Sequence, residues 1–369
     1  MHLCDLQLRG FRNYEESAVR LDTGVNLILG DNAQGKTNLL EAVTYLSTGH
    51  SFRTRKEAEL IGFGQDFAEL SAKVFSHDRE KELRAVIFAS RRPRQLFLSG
   101  VRQNTFGENL AGQLNTVLFC PEYLLVLRAG ASARRRLLDD ALCQLRPGYE
   151  AVLTEYGRVL EHKSRILKDW REDRSLLELL PDFNARLCSL GARLISARGA
   201  YLKALAREAA RYHREFSGDR EALTTQYKTV STISDPLHET VQHEADLRLH
   251  METHARAELE SGQCLSGPHR DDFEVFFNGL SLKSYGSQGQ TRTAAISLKL
   301  AERELMFRDS GQMPVLLLDD VLSELDAGRQ DFLLNHLSRG QVLMTACEKD
   351  RHTALGRVIR VEQGRILED

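Results

Sequence analysis

Apolar and polar residues follow two different strand patterns near the start of the chain. Residues 2–11 (HLCDLQLRGF) alternate between the two classes, which is typical of a strand with one buried face. Residues 25–29 (VNLIL) are almost continuously apolar, as in a parallel strand that is buried on both faces. Short β-rich segments at 67–75, 83–89 and 95–102, with turns between them, predict an antiparallel sheet in the same part of the chain.

The pattern becomes helical after Glu122. Apolar residues recur at steps of three and four between 149 and 170, and again between 187 and 216, with charged residues between them. This spacing predicts two long helices that are broken near 179–183 (LLPDF) and packed against each other as a hairpin. Strand patterns return at about Phe273.

The order of these segments predicts an α/β fold that is interrupted by a helical insertion. A chain of 369 residues is too long for one small core. We therefore assign residues 1–120 and 266–369 to the two parts of an α/β domain, and residues 121–265 to an inserted helical arm domain.

The amino-acid composition excludes several classes of protein. The formal charge is −2, so any binding of nucleic acid has to come from local basic patches. Six cysteines without a C-x-x-C pair indicate reduced thiols, neither a disulfide scaffold nor a zinc site. The N-terminus lacks the apolar core of a signal peptide, and no apolar run approaches the ~20 residues that span a bilayer. We expect a soluble, cytoplasmic protein with no membrane partner.

A phosphate-binding loop follows the apolar strand at 25–29. Residues 30–37 (GDNAQGKT) fit G-x-x-x-x-G-K-[ST], and the residues after them have helical spacing. Such a loop turns backbone N–H groups and a helix N-terminus towards a bound phosphate. Lys36 is expected to reach the outer phosphates, and the Thr37 hydroxyl to ligate Mg²⁺. The pattern assigns these residues to a nucleotide: Gly30, Asp31, Asn32, Ala33, Gln34, Gly35, Lys36 and Thr37.

Two acids supply the second half of the predicted site. The apolar strand Val315–Leu318 ends in Asp319 and Asp320, where α/β folds place their ligands. Asp319 is predicted to hold Mg²⁺ through water. Asp320 is predicted to orient the attacking water or to take its proton.

A glycine-containing turn at 284–293 (SYGSQGQTRT) precedes a predicted helix. Ser287 and Gly289 at the start of that helix could donate hydrogen bonds to phosphate oxygens. Taken alone, these residues are better explained as an ordinary capped turn. The order of phosphate loop, GSQGQ, LLLDD and SELD is nevertheless that of an ABC-type ATPase.

Several segments together resemble the RecF family of SMC-like, ABC-type ATPases. They are LRGFRNY (8–14), the phosphate loop, LFCPEYLLVLRAGASARRRLLD (118–139), LSGPHRDDFEVFFNG (265–279), GSQGQTRTAAISLKLAE and LLLDDVLSELD. The resemblance covers nearly the whole chain. It implies an α/β ABC-type P-loop ATPase head with an inserted helical arm, and ATP with Mg²⁺ as cofactors.

The resemblance also implies a function. It predicts a weak, DNA-stimulated ATPase of recombinational repair, replication-fork maintenance and the SOS response to DNA damage. It predicts binding of single-stranded and gapped duplex DNA, a homodimer induced by ATP, and cooperation with RecO and RecR in loading a recombinase. In the family, the glycine-rich signature of one chain completes the ATP site of the other. Ser287, Gly289 and Gln290 match that signature residue by residue.

The chain departs from the general ABC pattern in four places. The signature reads Gly286-Ser287-Gln288-Gly289-Gln290 and not Leu-Ser-Gly-Gly-Gln, and the glutamine loop is expected near LFCPE, which contains no glutamine. The second acid is Asp320 where transporters usually have Glu, and the shorter side chain suggests slow turnover. The switch histidine is absent from the next strand, which reads QVLMTACEKD.

Two other interpretations of the function are also consistent with the motifs. An SMC-like or transporter-type ABC ATPase shares the phosphate loop, the signature and the acids, although it does not need FRNY, GPHRDDF or a long helical insertion. A clamp that binds ATP without hydrolysing it also fits. A GTPase does not, because no Asn-Lys-x-Asp is present.

Basic clusters are the candidates for contacts with DNA. Arg134, Arg135 and Arg136 form the densest run, RRPR occupies 91–94, and five more arginines follow on a predicted helix. Each cluster alone could be a solvated face, and the 134–136 run could instead pair with Asp139 or Asp140. No base-reading motif is visible, so binding is expected to follow backbone charge and DNA shape.

Overall fold

The computed structural model describes residues 1–54, 56–90, 92–337, 339–347 and 356–367. The chain divides into two compact units, one of Met1–Leu125 and Arg292–Asp369, the other of Val126–Thr291. One unit is therefore built from two separated stretches of chain, as the predicted insertion requires.

The strands and helices are numbered along the chain. The strands are β1 His2–Phe11, β2 Tyr14–Arg20, β3 Val25–Leu29, β4 Phe67–Ser76, β5 Arg79–Phe88, β6 Gln95–Leu98, β7 Val101–Gln103, β8 Thr116–Phe119, β9 Leu223–Lys228, β10 Asp272–Phe277, β11 Leu280–Ser281, β12 Val315–Leu318, β13 Val342–Ala346, β14 Arg357–Glu362 and β15 Arg365–Leu367. The helices are α1 Lys36–Thr48, α2 Phe106–Asn109, α3 Pro121–Leu124, α4 Ala131–Leu145, α5 Tyr149–Asp169, α6 Leu180–Ser217, α7 Thr240–Ser261, α8 Leu282–Tyr285, α9 Gln288–Ser310 and α10 Ala327–Asn335.

A mainly parallel sheet forms one layer of the first unit, with the strand order β15-β14-β3-β13-β12-β8. Strand β3 pairs in parallel with β13 on one side and β14 on the other. Its Leu27 and Ile28 are fully buried, because a strand in this position is covered on both faces. The continuous apolar run thus predicted the strand correctly.

An antiparallel sheet with the order β2-β1-β4-β5-β6-β7 forms a second layer of the same unit. This confirms the sheet predicted from the segments between 67 and 102 and adds the first hairpin of the chain to it. Helix α1 contacts strands of both sheets. Its Leu39, Leu40 and Val43 are fully buried, so the helix that follows the phosphate loop is fixed by core packing.

The second unit combines helices α4–α7 with the small sheet β11-β10-β9. Helix α6 packs against both α5 and α7, which confirms the predicted helical hairpin. A short 3₁₀ turn, Arg174–Leu179, separates α5 from α6, and a proline opens α6, where its missing N–H costs nothing.

The observed division of the chain differs from the predicted one on its C-terminal side. The predicted 120/121 boundary lies close to the observed change after Leu125. The predicted 265/266 boundary comes too early, since the second unit extends to Thr291. The reason is that β10 pairs with β9, a strand that follows the long helix α6, and sequence pattern alone does not reveal which partner a strand takes. None of the helices in the described part of the chain combines the length and apolar character needed to cross a bilayer.

Candidate functional site

The phosphate loop lies between β3 and α1 and depends on two glycines. Gly35 has φ 119° and is the residue before the first turn of α1. A Cβ there would come within 2.8 Å of the Asn13 side chain. A Cβ on Gly30 would lie 2.3 Å from the Val361 carbonyl oxygen. Neither position accepts a side chain, so the backbone can close into a tight loop with its N–H groups turned inwards.

Lys36 is the first residue of α1 and points back over the loop. Its side chain is 8% exposed, and its Nζ donates to the carbonyl oxygens of Gly30 and, at 3.2 Å, of Asp31. The sulfur of Cys347, at the end of β13, is 3.8 Å from Nζ. The ammonium therefore lies at the mouth of the loop, where phosphate oxygens can replace the carbonyl partners.

Thr37 and Asp319 join the two halves of the predicted site. The Thr37 hydroxyl donates to Asp319 Oδ1 at 3.0 Å, although the residues are 282 positions apart in the chain. The Thr345 hydroxyl donates to the same oxygen at 3.0 Å. Burial raises the pKa of Asp319, while the two hydroxyls act in the opposite direction. A hydroxyl and a carboxylate at this spacing are hard oxygen ligands of the kind that Mg²⁺ prefers.

Asp320 has a different environment from its neighbour. It adopts a left-handed conformation with φ 50°, and its N–H donates to the Thr345 hydroxyl at 2.8 Å. The side chain is exposed and accepts a 3.2 Å bond from Ser323. The turn thus directs Asp319 into the buried site and leaves the Asp320 carboxylate accessible to water, as separate roles for the two acids require.

Two hairpin turns hold the loop from outside, and neither was predicted to take part in the site. In the first, Asn13 Nδ2 donates to the Gln34 carbonyl oxygen at 2.9 Å, and the Tyr14 hydroxyl donates to that of Gly35 at 3.0 Å. In the second, the Gly364 N–H donates to the Gln34 carbonyl oxygen at 2.9 Å. Tyr14 is buried, and burial raises its pKa. The FRNY motif, which carries part of the family resemblance, therefore fixes the backbone of the phosphate loop.

The signature residues belong to the second unit and begin helix α9. Ser287 Oγ accepts from the Gln290 N–H at 3.1 Å, and Gln290 Oε1 accepts from the Ser287 N–H at 3.0 Å. This is a capping box, so the ordinary capped turn considered from sequence is present. Ser287 is also exposed, and Gly289 lies in the same first turn. A capped helix N-terminus with an exposed serine can donate to an anion, so the cap does not exclude the predicted role.

The arginines at 134–136 do not form one basic surface. Arg134 is 1% exposed and makes a bidentate ion pair with Asp272, at 2.6 and 2.8 Å. The prediction that Arg134 contacts DNA is therefore wrong. Successive residues of a helix point about 100° apart, so three in a row cannot share a face. Arg135 donates to the Asp271 carbonyl oxygen, and half-exposed Arg136 lies 3.5 Å from Asp140; their contacts with DNA stay predictions.

The second basic cluster is also partly structural. Arg94 pairs with Glu57 at 2.6 Å and donates to the Tyr45 hydroxyl at 3.2 Å. Arg91 lies outside the described residues.

Comparison with known proteins agrees with the site geometry. The chain matches the family model described as the RecF/RecN/SMC N terminal domain over residues 2–366. It is 35% identical over 370 residues to the DNA replication and repair protein RecF of Acetivibrio thermocellus, with 99% of each chain covered. The protein of the same name from Bacillus subtilis (strain 168) is also 35% identical, over 383 residues, with 100% of each chain covered.

A solved structure of a similar protein has the same fold. It is described as the recombination mediator protein RecF with ATP in the RecFOR pathway, and it superposes with a TM-score of 0.91 at 32% sequence identity. The match covers 99% of this chain and 97% of that one. The resemblance read from the motifs is confirmed over the full length, and the chain belongs to the RecF family of DNA replication and repair proteins.

Proposed function

We propose that this chain is an ATP-dependent DNA-binding protein of recombinational repair and replication-fork maintenance. It binds single-stranded and gapped duplex DNA in the cytoplasm and acts with RecO and RecR to load a recombinase. The observation that carries the proposal is the 3.0 Å bond between Thr37 and Asp319, which unites the phosphate loop with the acid-bearing strand. The relatives named RecF, and the RecF structure described with ATP in the RecFOR pathway, support it.

The site supports slow hydrolysis of ATP. Thr37 and Asp319 would hold Mg²⁺, which when bound neutralises charge on the phosphate oxygens. Lys36 binds the outer phosphates, and the loop N–H groups hold the inner ones. Asp320 accepts a proton from, or orients, the attacking water. Its side chain is one methylene shorter than Glu, which favours weak turnover.

ATP would join two copies of the chain. The signature turn of one copy is proposed to contact the nucleotide held by Lys36 of the other, since Ser287 is exposed at a helix N-terminus. Because ATP then binds only the paired state fully, it favours dimerisation by linkage.

An arginine stripe along α6 is the proposed duplex-binding surface. At 100° per residue, five exposed arginines fall within one face of this helix, and the stripe extends over about 40 Å at 1.5 Å rise per residue. They are Arg186, Arg193, Arg207, Arg211 and Arg214. Arg135 and Arg136 remain further candidates. Arg186 pairs with Glu155, and Arg207 and Arg211 lie 3.5 and 3.2 Å from Glu208, so a phosphate backbone would replace these acidic partners along the stripe.

The test is fluorescence anisotropy of a labelled gapped duplex across a salt series, with and without a non-hydrolysable ATP analogue. A dimer that aligns two stripes makes more phosphate contacts, and each adds about −0.9 to the slope of log K against log salt. We expect a steeper slope and higher affinity with nucleotide.

The control is Lys36→Met, which should give the shallow slope under both conditions. Equal affinity and equal slope with and without nucleotide in the parental protein would rule out ATP-gated DNA binding.

A further inference from the structure

The capping box at the start of α9 does not use the hydroxyl hydrogen of the signature serine. Ser287 Oγ is the acceptor in its bond with the Gln290 N–H, and the Ser287 N–H is used by Gln290 Oε1. Neither bond uses the hydroxyl hydrogen. The Gln290 side chain holds the backbone N–H of Ser287, so the position from which the Ser287 hydroxyl donates depends on how firmly that side chain is held.

Glu221 determines the orientation of that glutamine. Gln290 Nε2 donates to Glu221 Oε1 at 2.8 Å. An ionised carboxylate only accepts hydrogen bonds, so it selects the amide orientation in which nitrogen faces Glu221 and oxygen faces Ser287. With the amide reversed, the Ser287 N–H would meet an NH₂ group and the capping box would open.

His213 holds the other oxygen of Glu221. Its Nε2 lies 3.0 Å from Glu221 Oε2, and its ring packs against that of Phe277 with centroids 4.1 Å apart. The His213 side chain is fully buried, and burial lowers its pKa. Its Nδ1 has no hydrogen-bond partner among the described residues, which favours the neutral tautomer with the proton on Nε2. His213 thus donates to Glu221.

These contacts form a chain from the arm to the signature. His213 lies near the end of α6, the helix that carries the arginine stripe, and all four residues belong to the second unit. We propose that Glu221 is a positioning residue for ATP turnover: with His213 it orients Gln290, and through Gln290 it directs the Ser287 hydroxyl. This inference rests on the proposed function, in which Ser287 contacts the nucleotide of a second copy.

The decisive variant is Glu221→Gln, which has nearly the same size and supplies only one acceptor for two donors. We expect kcat for ATP to fall by about tenfold to about a hundredfold, because small misplacement of a donor has effects of that size. Binding of a fluorescent ATP analogue should stay within about twofold, since that affinity is set by the phosphate loop. Glu274→Gln, which removes a carboxylate paired with Lys228 in the same small sheet, is the matched control and should leave kcat unchanged.

A double-mutant cycle separates positioning from general stabilisation of the helix. If Glu221 acts through Ser287, the double variant Glu221→Gln/Ser287→Ala should turn over ATP no more slowly than Ser287→Ala alone. Multiplying losses would show that Glu221 acts independently of Ser287 and would overturn the inference. Parental kcat in Glu221→Gln would also overturn it.

Two further measurements distinguish failure of this inference from failure of the proposed composite site or of folding. If Ser287→Ala itself retains parental turnover, the proposed composite site is wrong, whatever Glu221 does. Should Glu221→Gln fail to fold, His213→Gln and His213→Leu replace it. The first retains a donor to Glu221 and should keep higher kcat than the second, and equal kcat in the two would contradict the relay.

Discussion

Asp319 and Asp320 are adjacent in sequence and yet suited to different chemistry. Asp319 is buried and accepts hydrogen bonds from the Thr37 and Thr345 hydroxyls, whereas Asp320 is exposed in a left-handed turn. Asp319→Ala should therefore weaken the affinity for Mg²⁺-ATP. Asp320→Asn should bind ATP normally and lower kcat by about a hundredfold or more, because a water-orienting group affects rate more than affinity.

Titration of a fluorescent ATP analogue with and without Mg²⁺, followed by single-turnover assays, measures both effects. Matching losses of affinity in the two variants would contradict separate roles for the acids.

Arg134 and Arg136 provide a second comparison between neighbouring residues. Arg134→Met leaves Asp272 without its buried partner and should reduce the free energy of unfolding by about 3 kcal/mol. Arg136→Met removes a half-exposed pair with Asp140 and should change it by less than about 1 kcal/mol. If Arg136 contacts a phosphate, its loss should also make the DNA salt slope shallower by about 0.9. Urea denaturation and anisotropy check the two halves of this prediction.

At the scale of elements, motifs formed by one short segment could be predicted from the sequence. The contacts that hold them from distant parts of the chain could not. The run of strand, loop and helix around Lys36 is contained in one short segment, so its pattern predicts both the structure and the site. Asn13 and Gly364 contact the loop from distant positions in the chain, and the hydrophobic periodicity of the sequence does not predict such contacts. For the same reason, the predicted boundary at 265/266 separates β10 from its partner β9, which comes after the long helix α6.

The 3₁₀ turn Pro268–Arg270 within GPHRDDF contains a partly buried histidine that makes stability depend on pH. Burial lowers the pKa of His269 from 6.5 to about 4. Its Nε2 donates to the Cys264 carbonyl oxygen at 3.1 Å, and its Nδ1 accepts from the Tyr156 hydroxyl at 2.8 Å. Protonation would turn Nδ1 from an acceptor into a donor, so the bond from the Tyr156 hydroxyl would be lost at a partly buried position. The stabilising effect of neutral His269 is thus complete above about pH 6.5 and is lost as the pH falls towards 4.

His269→Gln can keep both hydrogen bonds without titrating. Between about pH 7 and about pH 5, the parental protein should lose about 2 kcal/mol more unfolding free energy than this variant. Urea denaturation at the two pH values measures the difference. Equal losses would show that His269 takes up its proton in the folded state without penalty.

At the scale of the whole molecule, charge and composition were poor guides to function. The net charge of −2 does not indicate the arginine stripe. The stripe follows from the positions of the five arginines along the single helix α6. The periodicity of the sequence does not predict dimerisation either. The signature turn has the same sequence whether it contacts the nucleotide of its own chain or that of a second chain. The family resemblance supplied that expectation, and a mixing experiment can test it.

Complementation between two inactive variants distinguishes a shared ATP site from a site within one chain. Lys36→Met should abolish nucleotide binding, and Ser287→Arg should block the signature turn while leaving the phosphate loop intact. In a symmetric dimer, a heterodimer of the two has one site with both residues native and one with both replaced. Random pairing of equal amounts makes half of the dimers mixed, so turnover should recover to about a quarter of the parental value if the sites act independently. If each chain used its own Ser287, mixing would restore nothing. ATPase activity measured over a range of mixing ratios, with a maximum near equal amounts, is the expected result; activity no higher than that of either variant alone would exclude the trans arrangement.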